Sequence, residues 1–341
     1  FFCVHTFNKL EIFFCIGCVL SLGSNEINKA EMISEITGKR KIPFIVISGN
    51  HDSAERLSFA SRILRGTGLF LCGDLYHTLA PVILKDDDGE VAFAPLPYAE
   101  PGKVREALSA DVHTHEEAER VLSDFLLRQM GHAARKVAIA HEFVAGGSAS
   151  DSERPLSIGG TDLISADVFA PYNYTALGHL HGPQKAGEKE NVRYSGSLLK
   201  YSFSEATQKK GVIVGEINGA GQVKTEFISL SPRHDVRIIK GFFDDLIKEK
   251  SEDFLMAELL DEGPVIDAMA RLRQKYPRMM TIQSHRRMNS GSGERSFDLM
   301  KKVDPLDMFR VFYKEFQDKE FTEEEENYMK ELWENLRKED D

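Results

Sequence analysis

Residues 41–48 carry the first clear apolar run: Ile42, Phe44, Ile45, Val46 and Ile47 surround Pro43 and stop at Gly49. β-Branched and aromatic residues in series, bounded by Pro and Gly, predict a strand buried on both faces. Over 54–65 the period changes, with Leu57, Ala60, Ser61 and Leu64 at helical spacing. Strands are expected at 79–85 and 90–95, joined by Asp86-Asp87-Asp88-Gly89. That acidic run could serve as a calcium loop, but the later ligands of such a loop are absent. Asp-Gly between two strand patterns predicts a hairpin turn.

Residues 114–131 predict a helix with Val121, Phe125, Leu126 and Met130 on one face. A short buried strand at 136–140 ends at His141, and a polar Gly/Ser-rich loop at 146–160 is long enough to be functional. Another strand runs over 174–177, and a hairpin joins 211–217 to 222–230. Ser231-Pro232 marks a boundary. Beyond it, strands at 235–240, 254–260 and 279–283 alternate with helices at 243–248 and 265–275, which predicts a smaller α+β unit. Residues 286–295 show no periodicity and read as a loop. Helices at 305–317 and 323–338 close the chain, the second opening on a capping box formed by Thr322 and Glu325. Met329, Leu332, Trp333 and Leu336 make an apolar stripe on it, suited to its own domain or to a partner helix.

The 341 residues allow two domains, with 42% hydrophobic and 28% charged residues as in ordinary globular chains. A net charge of −11 argues against a surface coated in basic groups but leaves room for a local basic groove. Four cysteines (Cys3, Cys15, Cys18, Cys72) make no disulfide framework and fit a reducing compartment. Residues 1–24 are anomalous: the run 10–22, about 13 residues, is shorter than the roughly 20 a membrane span needs. It reads as a buried strand, as a segment foreign to the fold, or as a signal-peptide core. Cys15-x-x-Cys18 has no second cysteine pair to make a zinc site.

Chemistry concentrates where apolar runs stop. Gly49-Asn50-His51-Asp52 follows 44–47, His141 ends its own run, and Gly178-His179-Leu180-His181 follows 174–177. In α/β proteins, strand ends open into the active-site crevice. Neutral imidazoles and an amide oxygen there suit a divalent transition metal, with one histidine left for proton handling.

Gly-Asn-His-Asp, a strand-terminal His and Gly-His-x-His together resemble the second half of the calcineurin-like metallophosphoesterase pattern. The stretches 141–147, 150–154, 176–181 and 194–198 through Phe203-Ser204-Glu205 resemble the D subunits of bacterial SbcCD nucleases, from about residue 25 to the C-terminus. The resemblance implies an α/β fold: a four-layer α/β/β/α sandwich over 25–231, incomplete at its N-terminal edge, with an α+β capping domain at 232–318 and a partner-binding helix at 319–341. It implies that Asn50, His141 and His179 ligate one manganese ion and His181 a second, with His51 as acid or phosphate-stabilising residue and Asp52 orienting it. It also implies double-strand exonuclease and single-strand endonuclease activity in DNA recombination, repair and replication. The expected partner is an SbcC-type ATPase, since the chain has no Gly-x-x-x-x-Gly-Lys-Ser/Thr loop of its own. A homodimer within a heterotetramer, no membrane association and a cytoplasmic, nucleoid-associated location complete the expectation.

Arg193, Lys200, Lys209 and Lys210 near the Gly-His-x-His element are candidate DNA contacts, and Arg271, Arg273, Lys275, Arg278, Arg286 and Arg287 form a second basic group. The chain departs from the family at its start, where Asp-x-His and Gly-Asp-x-x-Asp are missing. Gly17-Cys18-Val19-Leu20-Ser21 stands near the place of the second motif, and His5-Thr6-Phe7-Asn8 faintly echoes the first. With no bridging carboxylate, one well-built metal site and weak cleavage are expected. Two other readings stand beside this one: a non-catalytic scaffold for DNA and partner, and a phosphoesterase for small molecules.

Overall fold

Side chains alternate along the strand Phe44–Ile47: Ile45 and Ile47 enter one core, while Phe44 and Val46 enter another with Leu69. This period of two is what a strand with both faces covered requires. The computed structural model describes residues 2–5, 11–16, 37–38, 41–151, 153, 163–261 and 263–284, with isolated positions between 309 and 332. Two compact units emerge, residues 1–238 with 252–255, and residues 239–251 with 256–341.

The first unit is mixed α/β and holds two six-stranded sheets. One runs in the order Val223–Ser229, Gly211–Ile217, Phe2–His5, Glu11–Ile16, Phe44–Ile47, Leu69–Cys72. The other runs Gln184–Lys185, Val192–Tyr194, Tyr174–Gly178, Arg135–His141, Gly89–Leu96, Val82–Asp86. Ile45, Ile47 and Ile213 of the first sheet share a core with Phe93, Val137, Ile139 and Tyr174 of the second. On the outer side of the second sheet, Ala92, Ala94, Ala138 and Ala140 keep the surface low enough for helix His115–Met130 to seat Ala118, Leu122 and Leu126 against it. Thr114 and Glu117 cap that helix reciprocally.

The expected hairpin at Asp86-Asp87-Asp88-Gly89 is present, with Val82–Asp86 antiparallel to Gly89–Leu96. Asp86 is not a cation ligand here. Its carboxylate accepts from both Arg135 terminal nitrogens at 2.7 and 2.5 Å, and both side chains are buried. The single helix expected over 54–65 is instead two short ones, Ala54–Leu57 and Ser61–Leu64, separated at Ala60, whose φ is 60°. The cause is tertiary: Ser58 Oγ accepts from Gly73 N (3.2 Å) and Asp74 N (2.8 Å), which fastens the break to the chain beyond the strand Leu69–Cys72.

Residues 11–16, inside the apolar run 10–22, form a strand parallel to Phe44–Ile47, with Ile16 level with Ile47. Phe2–His5 runs antiparallel to it, so His5 pairs with Glu11 at the opposite end. Antiparallel neighbours can be joined by a few residues, whereas two parallel neighbours need a crossover of about a dozen residues. The echo beginning at His5 is therefore at the far end of the sheet from Gly49. Cys18 and Ser21 lie outside the described residues, as do 154–162, Arg286, Arg287, Trp333 and Leu336. Among the described residues no helix is long and apolar enough to cross a membrane.

The second unit holds most residues of a three-stranded sheet ordered Val236–Gly241, Phe254–Leu259, Met279–Ser284. Helices Phe243–Leu246 and Ala268–Arg273 accompany it, and the Arg271 guanidinium sits 4.2 Å over the Phe243 ring. That contact and a bond from Arg273 to Met279 O give two of the basic group structural duties. The expected capping box is formed, Glu325 N donating to Thr322 Oγ1 at 3.3 Å and Thr322 N to Glu325 Oε2 at 2.9 Å. Arg310 pairs with Glu326, and Tyr313 donates to Glu325 at 3.0 Å.

Candidate metal centre

The loop after Phe44–Ile47 is closed by its own last residue. Asp52 Oδ2 accepts from Gly49 N at 2.8 Å and Asp52 N donates to Gly49 O at 3.1 Å, while Tyr98 N anchors Ser48 O at 3.0 Å. This tight turn carries half-buried Asn50 and exposed His51 at its tip. The Asp52 carboxylate thus shapes the loop backbone beside His51.

Gly49 leaves room for His141. A Cβ at Gly49 would stand 2.6 Å from His141 Cε1, 2.8 Å from Nδ1 and 2.9 Å from Nε2. His141 ends the strand Arg135–His141 and is 1% exposed. Its Nε2 lies 3.0 Å from Asn50 Oδ1, and its Nδ1 has no hydrogen-bond partner among the described residues. Beyond it, the Tyr194 hydroxyl donates to Glu142 O and accepts from Val144 N, both at 2.8 Å, pinning the chain that follows. Burial pushes the His141 imidazole down to about 3, and the neighbouring His179, His51 and His181 push the same way. A neutral ring is the form that binds metal.

His179 follows Gly178, which pairs in register with His141. Its ring meets that of His141 edge-on with centroids 5.5 Å apart, a spacing that lets one nitrogen of each reach a common ion. The backbone is strained to do so, with φ at 107°, a value rare outside glycine.

His181 is fixed on every side. Its N–H donates to Glu153 Oε1 at 2.6 Å; its carbonyl accepts from Lys210 Nζ at 2.7 Å and from Ser197 N at 3.0 Å. Its Nδ1 stands 3.3 Å from Glu205 Oε1, and the other Glu205 oxygen is 2.5 Å from Lys210 Nζ. Glu205 and Lys210 are buried. A carboxylate behind one ring nitrogen is the arrangement common behind metal-ligating histidines.

Two of the four expected DNA contacts are otherwise engaged. Lys210 is 4% exposed and donates to His181 O, Ser197 Oγ and Gln208 Oε1. Lys200 Nζ donates to Ala206 O, Val236 O and Asp235 Oδ2. Both ammonium groups thus brace the chain around His181 and Asp235. Arg193 pairs with Glu190 at 3.0 Å, and Lys209 stays exposed.

The donor chemistry suits one divalent ion: an amide oxygen and a neutral buried imidazole converge, a second imidazole stands edge-on, and one nitrogen of the buried ring is unpartnered. Among the described residues no group of three or more His, Cys, Asp and Glu side chains could hold a metal ion.

Glu153 and Glu205 were not singled out as acting residues from the sequence. The signals were local, a Ser-x-x-Glu turn at 150–153 and Phe203-Ser204-Glu205 shortly after the Gly-Ser pair, but their common target His181 emerges only in three dimensions. Residues 232–316, outside this histidine cluster, match the family model SbcD_C, described as the type 5 capsule protein repressor C-terminal domain. That match supports an SbcD-related protein.

Proposed function

We propose that this chain is the nuclease-type subunit of an SbcCD-like complex, a metallophosphoesterase sandwich that acts on DNA phosphodiesters. The observation that carries the proposal is the meeting of His141 with Asn50 at 3.0 Å and with His179 at 5.5 Å between ring centroids. These residues come from three separate strand ends. Asn50, His141 and His179 would hold one manganese ion and His181 would offer Nε2 to a second. The bound ions would polarise the phosphodiester and lower the pKa of water beside it.

The chain's own residues do the rest. His51, exposed at the loop tip, would donate a proton to the leaving oxygen or stabilise the phosphate. Asp52 keeps that tip folded, and Glu205 with Lys210 holds the His181 ring. The second unit and the SbcC-type ATPase would supply the remaining DNA and ATP handling, in a homodimer within a heterotetramer. Because the sequence holds no Gly-Asp-x-x-Asp motif to supply a bridging carboxylate, cleavage by the chain as it stands is expected to be weak.

The test is manganese-dependent cleavage of linear duplex DNA with and without His51→Ala. Cleavage lost in the variant supports the reading. A chain that binds manganese and DNA but cleaves only after Asp-x-His and Gly-Asp-x-x-Asp are grafted in would be a defective nuclease. If neither form cleaves, a binding scaffold is favoured.

A further inference from the structure

Between Ser197 and Ser202 the chain bends outside the sheets, and exposure alternates over its last four residues. Lys200 points inward, where its ammonium is held by Ala206 O, Val236 O and Asp235. Its neighbours on either side point outward, Leu199 50% exposed and Tyr201 60% exposed. Ser197 Oγ donates to Leu199 O at 2.7 Å and fixes the start of the segment. The Tyr201 ring lies beside His181, with centroids 5.4 Å apart and planes tilted by 50°.

An aromatic and a leucine held outward by a buried lysine between them form an apolar edge that water solvates poorly. Such an edge beside a phosphodiester site meets a definite chemistry. A nucleotide whose phosphate sits at His181 carries its base within its own length of that point, and every base has a flat π-face. Aromatic rings at nucleic-acid sites take such faces by stacking, with little sequence preference. The terminal pair of a duplex differs from interior pairs in exposing one whole face.

We propose that Tyr201, flanked by Leu199, is a stacking platform for the terminal nucleobase of a DNA end, so that the site takes ends in preference to uninterrupted duplex. This rests on the phosphodiesterase reading above and names the part of the substrate that the site holds. Tyr201 is a specificity residue here, with no part in bond cleavage.

The test uses binding without added metal, so that hydrolysis does not enter. The probe is a linear duplex with 2-aminopurine as its terminal base, compared with the same duplex lacking that base. Wild-type chain is expected to quench the terminal fluorophore and to bind the intact end more tightly than the abasic end. Tyr201→Ser should lose the quenching and weaken binding to the intact end by roughly 5- to 100-fold, leaving abasic binding unchanged. Tyr201→Phe should keep both properties. If Tyr201→Ser binds intact and abasic ends as the wild type does, the platform is overturned while the phosphodiesterase reading stands. If it melts lower or loses metal affinity with unchanged discrimination between ends, Tyr201 is a cover for His181 and the platform is again overturned. If the wild type binds no DNA of any kind, both readings fall together.

Discussion

Glu205 sets Oε1 3.3 Å from Nδ1 of His181 while its other oxygen meets Lys210 at 2.5 Å, all three groups belonging to one buried or half-buried string. The carboxylate acts on the imidazole and the lysine neutralises the carboxylate. Glu205→Gln keeps the shape and removes the charge, and it should weaken the second manganese-binding step, the one served by His181, by roughly 10- to 100-fold. Because the substitution strands the Lys210 charge, Glu205→Gln with Lys210→Met should recover stability without recovering metal affinity. Calorimetric titration with manganese, read beside urea denaturation, separates the two effects. Equal metal affinity in all three proteins would remove Glu205 from the site.

Gly49 is required by contact with His141. Gly49→Ala places a methyl carbon within 2.6–2.9 Å of three ring atoms, so the ring or the loop must move. An overpacked core site of this kind costs about 1–3 kcal/mol. The variant should melt lower and bind manganese more weakly, and a chain with wild-type stability and affinity would show that the loop yields freely.

His179 shows a conflict between stability and function. Its φ of 107° is unfavourable for any residue with a Cβ. His179→Gly should relieve strain on the order of 1 kcal/mol and raise the denaturation midpoint, while removing one ligand of the expected ion. A variant that is less stable without metal would mean that ring contacts with His141 and Phe143 outweigh the strain.

Glu119 gives the fold a pH dependence away from the metal centre. It is 2% exposed, Oε1 has no hydrogen-bond partner among the described residues, and burial raises its pKa from 4.5 to about 8. Below about 4.5 both folded and unfolded chains hold the proton. Between 4.5 and 8 only the folded chain does, so this residue lowers stability as pH rises through that window, and the loss levels off above it. Glu119→Gln should flatten the profile and add stability on the order of a few kcal/mol at pH 8. Denaturation curves at pH 5 and pH 8 check it; the difference between variant and wild type must grow toward pH 8.

Much of the centre could be read without coordinates because strand ends announce themselves. The run at 44–47, the helix at 114–131 and the Asp-Gly hairpin follow from side-chain period and turn chemistry, which are local properties. Asn50, His141 and His179 were legible for the same reason, each standing just past an apolar run. The enclosure of Lys200 and Lys210 was not legible, because it comes from segments remote in sequence, such as Asp235 for Lys200. The break at Ala60 was hidden likewise, since helical spacing persists across it while Ser58 answers to Gly73 and Asp74.

The direction of the strand Phe2–His5 limits how the site could be rebuilt. It leaves Phe2 level with Phe14 and carries His5 away to Glu11, so acids written into its last residues would face the wrong rim of the sheet. Point changes there cannot supply the missing carboxylates. An engineer would have to reverse the strand between Gly211–Ile217 and Glu11–Ile16 and lengthen the 6–10 connection into a crossover of about a dozen residues or more. Reversal alone would bring the end of that strand level with Ile16 and Ile47, beside the turn that carries Asn50 and His51.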